Sequence, residues 1–131
     1  AIINANYIQE RLKTHYKLTS SRRCMHETVL SASIQKEDGV KAIDIAKKLL
    51  DEGFHAPTMY FPLIVEEALM IEPTESESKE TMDKFIDSMI KISELSKSNP
   101  KEIIEAPINL PVERLDEAMA ARNPILAWEK K

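Results

Sequence analysis

Gly53-Phe54-His55-Ala56-Pro57-Thr58-Met59-Tyr60-Phe61-Pro62 decides the fold, because a helix must stop and a strand must begin within it. Gly53 follows the last periodic residue of a helical stripe, where a left-handed C-cap is needed and glycine adopts it at least cost. Thr58 to Phe61 reads as a strand, and Pro62, lacking an N–H donor, must close that strand or lie on an edge. Ala68 to Ile71 reads as a second strand, joined to the first by a short connection as an antiparallel pair. Glu72-Pro73-Thr74-Glu75-Ser76-Glu77 follows at once. Both stretches place polar or ionisable groups where a regular element ends, the usual position for functional side chains on a rigid scaffold.

Upstream, Val40, Ile43, Ala46, Leu49 and Leu50 mark one face of a helix, with Lys41, Asp44, Lys47, Lys48 and Asp51 turned to water. Gln35 to Gly39 reads as a polar connection. Cys24 to Ala32 is rich in strand formers and reads as a strand. Leu18 to Arg23 has the Thr/Ser content of a loop. From Ala1 to about Tyr16, the recurrence of Ile3, Tyr7, Ile8 and Leu12 predicts an amphipathic helix.

Downstream, Thr74 and Glu77 have the form of a capping box, with Ser76 and Ser78 as alternative N-caps. Met82, Phe85, Ile86, Met89 and Ile90 then give a 3.6-residue stripe running towards Leu95. Asn99-Pro100 starts a short helix that Pro107 ends. Pro107 to Pro111 is extended, Val112 to Arg122 reads as a last helix, and Asn123-Pro124 breaks it before Trp128. The order predicts an α+β fold, a small antiparallel sheet with helices packed on one face. Residues 1–131 read as a single domain, with 1–17 a helix leading in and 107–131 a C-terminal tail.

The totals agree with a soluble globular domain. The chain has 131 residues, 43% apolar and 31% charged, and can bury roughly two-thirds of its surface. Two glycines argue against an all-β sandwich with many tight turns. A net charge of −4 gives no electrostatic reason to expect nucleic acid, and no Lys/Arg cluster overrides it. The single cysteine, Cys24, excludes an internal disulfide and fits a reducing, cytoplasmic setting. The longest uncharged run holds Pro62 and is too short to span a bilayer, so no membrane partner is expected. The chain opens Ala1-Ile2-Ile3-Asn4 inside what reads as a helix, as an excised domain would.

No complete catalytic apparatus is legible. His26-Glu27 lacks the second histidine of a zinc hydrolase, since position 30 is Leu. Cys24 and His26 would share one face of a strand, where a lone cysteine is more often an apolar filler. Three histidines and no cysteine cluster offer no structural zinc site, and no metal is expected. His55, just past the C-cap glycine, serves either as a helix cap or as a contact at a strand entrance. Glu77 fits helix capping well. Glu72, held between a strand end and Pro73, fits it less.

Asn4-Ala5-Asn6-Tyr7, Cys24-Met25-His26-Glu27, Gly53 to Met59 and Glu72 to Glu77 occur in this order in the glycine cleavage system P-protein. The chain resembles the C-terminal part of that family, glycine dehydrogenase (decarboxylating). Leu63-Ile64-Val65-Glu66-Glu67-Ala68 is more similar to subunit 2 of its two-subunit form. Thr28 departs from the family, which usually has Phe after His-Glu.

This resemblance implies the small C-terminal domain of a fold-type I enzyme that uses pyridoxal phosphate, held by a lysine of a large domain absent from these residues. It implies glycine decarboxylation, with the aminomethyl group passed to the lipoyl group of H-protein, and P-protein subunit 1 as a partner. No catalytic residue is assigned here, and the domain alone is expected to be inactive. Arg23, His26, His55, Thr58 and Glu72 are the candidates for lining substrate or cleft, Arg23 as a bidentate carboxylate partner. The competing expectation is a free-standing regulatory module that binds a small molecule on a β-α-β-β-α core.

Overall fold

The computed structural model describes residues 1–128 and 130. Glu129 and Lys131, at the end of the expected tail, lie outside the described residues. The elements run α1 (Ile2–Leu12), β1 (Lys17–Leu18), β2 (Thr28–Ser31), α2 (Ser33–Glu37), α3 (Ala42–Asp51), β3 (Thr58–Met59), β4 (Ala68–Ile71), α4 (Lys79–Ser98), α5 (Pro100–Ile104) and α6 (Glu117–Arg122).

The four strands form one antiparallel sheet in the order β1-β2-β4-β3. Register sets Leu30 opposite Leu69 and Thr28 opposite Ile71. Side chains alternate along a strand, so these residues share one face. That face meets Ile8 and Leu12 of α1, Ile45 and Leu49 of α3, and Ile86, Met89 and Ile92 of α4 in one core. The predicted α+β layer is the observed one. Tyr16 closes this core from α1's end. Its hydroxyl donates to the Met89 carbonyl at 2.8 Å, and burial pushes its phenol well above the ordinary range.

Gly53 has φ +83°, and the helix end it permits is a double one. Gly53 N–H donates to Leu50 O at 3.0 Å and Phe54 N–H to Leu49 O at 2.9 Å. This is a Schellman cap. It turns the chain from α3 into β3, as the glycine's position predicts.

Several local expectations are corrected. The strand from Cys24 to Ala32 contracts to Thr28–Ser31, because the Asn6 side chain occupies the Cys24 backbone. Cys24 and His26 therefore do not share a strand face. Gln35 to Gly39 is no plain connection. Ser33–Glu37 is helical, and Gln35 is buried, donating to His15 O at 2.8 Å and Ser93 Oγ at 2.9 Å. Asp44 and Lys48 are not turned to water but only 6% exposed. Asp44 accepts the Lys41 N–H and pairs with Arg114, while Lys48 reaches Glu102 at 3.0 Å.

In α1 the buried stripe is Ala5, Ile8 and Leu12, whereas Ile3 is 84% exposed. Ser78, not Thr74, caps α4, accepting from Thr81 N–H at 3.1 Å. The last helix begins at Glu117, not Val112. The segment before it is held by charged groups instead. Asp51 accepts the N–H groups of Ile108 and Asn109, and Arg114 bonds the carbonyls of Ile104 and Ala106.

Candidate functional site

The Schellman turn after α3, the entrance of β3, the exit of β4 and the first turns of α4 surround one cavity of about 400 Å³. Each wall arises from a local cause. The cap at Gly53 projects Phe54 inward, where its ring meets Phe85 edge to face at 5.5 Å between centroids. Thr58 and Met70 lie opposite each other across the β3–β4 ladder. Beyond Ile71 the chain leaves β4 through Glu72 and buried Pro73, then reaches the Ser78 cap of α4.

Of the candidate residues, His55, Thr58 and Glu72 all line this cavity. His26 is not part of the lining, but its Nε2 lies 3.9 Å from Glu72 Oε1 and 3.8 Å from Glu27 Oε2. The structure thus gathers four of the five at one place. Arg23 is exposed and is not brought to the cavity. Sequence reasoning missed Ile8, Thr81, Met82 and Phe85 as lining residues. The periodic stripes read Ile8, Met82 and Phe85 only as core, and nothing in the pattern marks Thr81.

The arrangement has an apolar floor and a polar mouth. Ile8, Ile71, Met82 and the two phenylalanines form the floor, while His55, Glu72, Glu77 and the threonines form the mouth. The α4 N-terminus, half a positive charge by its dipole, faces the same rim and favours carboxylates there. Such a surface can hold an apolar body and orient a polar end by hydrogen bonds. No lysine, arginine or glycine lines it, and no group of three metal-ligating side chains occurs among the described residues.

Two loops beside the cavity are fastened to α1. Asn4 Nδ2 donates to Thr74 O at 2.8 Å, and Asn6 holds Cys24 N and O at 3.1 and 2.7 Å. Tyr7 donates to Asp83 of α4, whose other oxygen accepts from Lys79 at 2.6 Å. These bonds, from Lys79 first and then Tyr7, hold the Asp83 carboxyl below its ordinary range. On Cys24, partial burial pushes the thiol up, which favours the neutral form of a packing residue.

A four-stranded antiparallel sheet with helices packed against it, and a cavity at its edge between β3, β4 and α4, define an α+β domain. Residues 1–111 match the family described as glycine dehydrogenase, C-terminal domain. The chain belongs to that family.

Three relatives carry the name probable glycine dehydrogenase (decarboxylating) subunit 2. That of Caldanaerobacter subterraneus subsp. tengcongensis is 56% identical over 130 residues, 99% of this chain and 27% of its own. That of Staphylococcus epidermidis is 55% identical over 130 residues, 99% of this chain and 26% of its own. That of Bacillus cytotoxicus is 57% identical, again over 99% of this chain and 26% of its own. The chain spans about a quarter of the length of the curated relatives it matches.

Proposed function

We propose that this domain forms one wall of the active-site cleft of a glycine decarboxylase whose remaining walls and cofactor anchors belong to other polypeptide. The whole enzyme then decarboxylates glycine and passes the aminomethyl group to the lipoyl group of H-protein, with a subunit 1 as partner, in the cytoplasm. One observation carries the reading. The family match spans the residues that line the cavity, His55, Thr58 and Glu72 among them. Names of the type subunit 2 support it over a free-standing regulatory module, and they also speak for a partner subunit.

Pyridoxal phosphate, the cofactor this reading calls for, needs a lysine amine and an anion-binding cradle. The cavity lining holds no lysine, and the α4 N-terminus at its rim is already taken by the Ser78 cap and flanked by Glu77, so this cavity does not fit as its holder. Their share is positional. Glu72 and His55 present hydrogen-bonding groups at the mouth, Thr58 adds a hydroxyl, and the phenylalanine pair excludes water from the floor. Holding a reactant in place is worth orders of magnitude in rate, and a small misplacement costs on the order of a hundredfold.

The test is glycine turnover by the full-length, assembled enzyme carrying Glu72→Gln or His55→Ala. Each is expected to lower kcat/KM by roughly tenfold to a hundredfold, while Lys97→Ala, on the far end of α4, leaves it unchanged. Wild-type turnover in both cleft variants would refute the reading. The 131-residue chain mixed with pyridoxal phosphate is expected to show no stoichiometric lysine-bound absorbance band.

A further inference from the structure

Asn6 and Gln9 stand three residues apart on α1 and so share one face. Along that face runs the irregular segment from Arg22 to Glu27, which carries His26 and leads into Thr28, the first residue of β2. Gln9 grips both ends of it, donating through Nε2 to Arg22 O and accepting at Oε1 from the Thr28 hydroxyl, each at 3.0 Å. Asn6 grips the middle. Its Nδ2 donates to Cys24 O at 2.7 Å and Ile2 O at 2.8 Å, and its Oδ1 accepts Cys24 N–H at 3.1 Å.

Among the described residues, no other hydrogen bond reaches the backbone of Cys24 to Glu27. A neighbouring strand would normally supply such bonds, yet here one side-chain amide supplies both. The Asn6 amide uses all three of these bonds at once, so its orientation is fixed and cannot be reversed without losing them. What the grip achieves is the placement of the next residues. His26 arrives against Glu72, whose side chain lines the cavity. Asn4 fixes the opposing loop through Thr74 O from the same helix.

We infer that Asn6, assisted by Gln9, is a positioning residue that sets the His26 imidazole against Glu72 at the cavity mouth. The inference rests on the cleft-wall reading for its effect on catalysis, but not for the placement itself. Helix α1 thereby acts as a ruler, spacing the two loops on either side of the mouth. Replacing Asn6 by the isosteric aspartate retains the acceptor for Cys24 N–H but sets a carboxylate against the carbonyls of Cys24 and Ile2.

The experiment uses the full-length subunit, assembled with its partner, carrying Asn6→Asp. The His26 imidazole resonance, assigned by its disappearance in His26→Ala, is expected to move. Amide exchange over Arg22 to Glu27 is expected to quicken roughly tenfold while β2 and β4 keep their protection. In turnover, Asn6→Asp is expected to lower kcat/KM, and the double variant with His26→Ala to be no slower than His26→Ala alone. An unmoved resonance with unchanged exchange overturns the inference, as does additivity in the double variant. A moved resonance with wild-type turnover upholds the positioning and removes its effect on catalysis, while the cleft-wall reading is decided separately by Glu72→Gln and His55→Ala. Should Asn6→Asp fail to fold, Gln9→Glu, which loses only the bond to Arg22 O, must move the same resonance to a smaller extent.

Discussion

The sheet with α1, α3 and α4 and the segment from Pro107 to Trp128 are held by different physics. The first is fixed by burial: Leu30, Leu69, Ile45, Ile86 and Met89 are all inaccessible to solvent. The second buries nothing after Pro107. Leu115, Ile125, Leu126 and Trp128 stay exposed, as does every residue of α6. Two charged side chains, Asp51 and Arg114, tie its first part down. Burial binds many residues into one cooperative unit, whereas single charged ties can open one at a time. The layer and the tail should therefore respond to substitution on different scales.

The largest effect belongs to the layer. Leu30→Ala or Ile86→Ala is expected to cost about 2–5 kcal/mol in urea unfolding of the chain, while Leu126→Ala stays within about 0.5 kcal/mol. Equal losses would erase the distinction. Next comes Tyr16→Phe, which removes a buried donor to Met89 O and should cost about 1 kcal/mol. Arg114→Ala sharpens the contrast further. Amide exchange from 107 to 116 should quicken with little change in the unfolding midpoint, and a core-sized drop would place Arg114 within the layer.

The smallest effect is electrostatic. Asp83 titrates lower in the folded chain than its ordinary 3.8, so its contribution is present above that pH and is lost as pH falls through the folded value. Asp83→Asn should flatten this acid-side loss, read as the midpoint against pH below 4.

The sequence discloses features whose causes are local. Gly53 is legible because only the adjacent helix end needs its positive φ. The β3–β4 pair is legible from the two short strand stretches and from Pro62, although β3 stops at Met59 and not at Phe61. His55, Thr58 and Glu72 meet because each stands at an element end, and element ends cluster at one edge of a small sheet. What stays hidden has distant causes. Asp44 and Lys48 look like water-facing residues until Arg114 and Glu102 fold over them. Gln35 looks like loop until His15 O and Ser93 take its amide. Cys24 to Glu27 looks like strand because nothing in its composition reveals that Asn6 bonds its backbone first. For the same reason Thr81 and Phe85 are invisible as cavity walls, since a helical stripe does not say where its first turn will lie.

The outer strands of the sheet, β1 and β3, are two residues each. A passing chain that tried to extend the sheet would find almost no ladder to zip along, and Pro62 shortly after β3 removes one further donor. The domain thus carries its own protection against edge-to-edge polymerisation, even with its aliphatic turn at Leu63 and Ile64 in water.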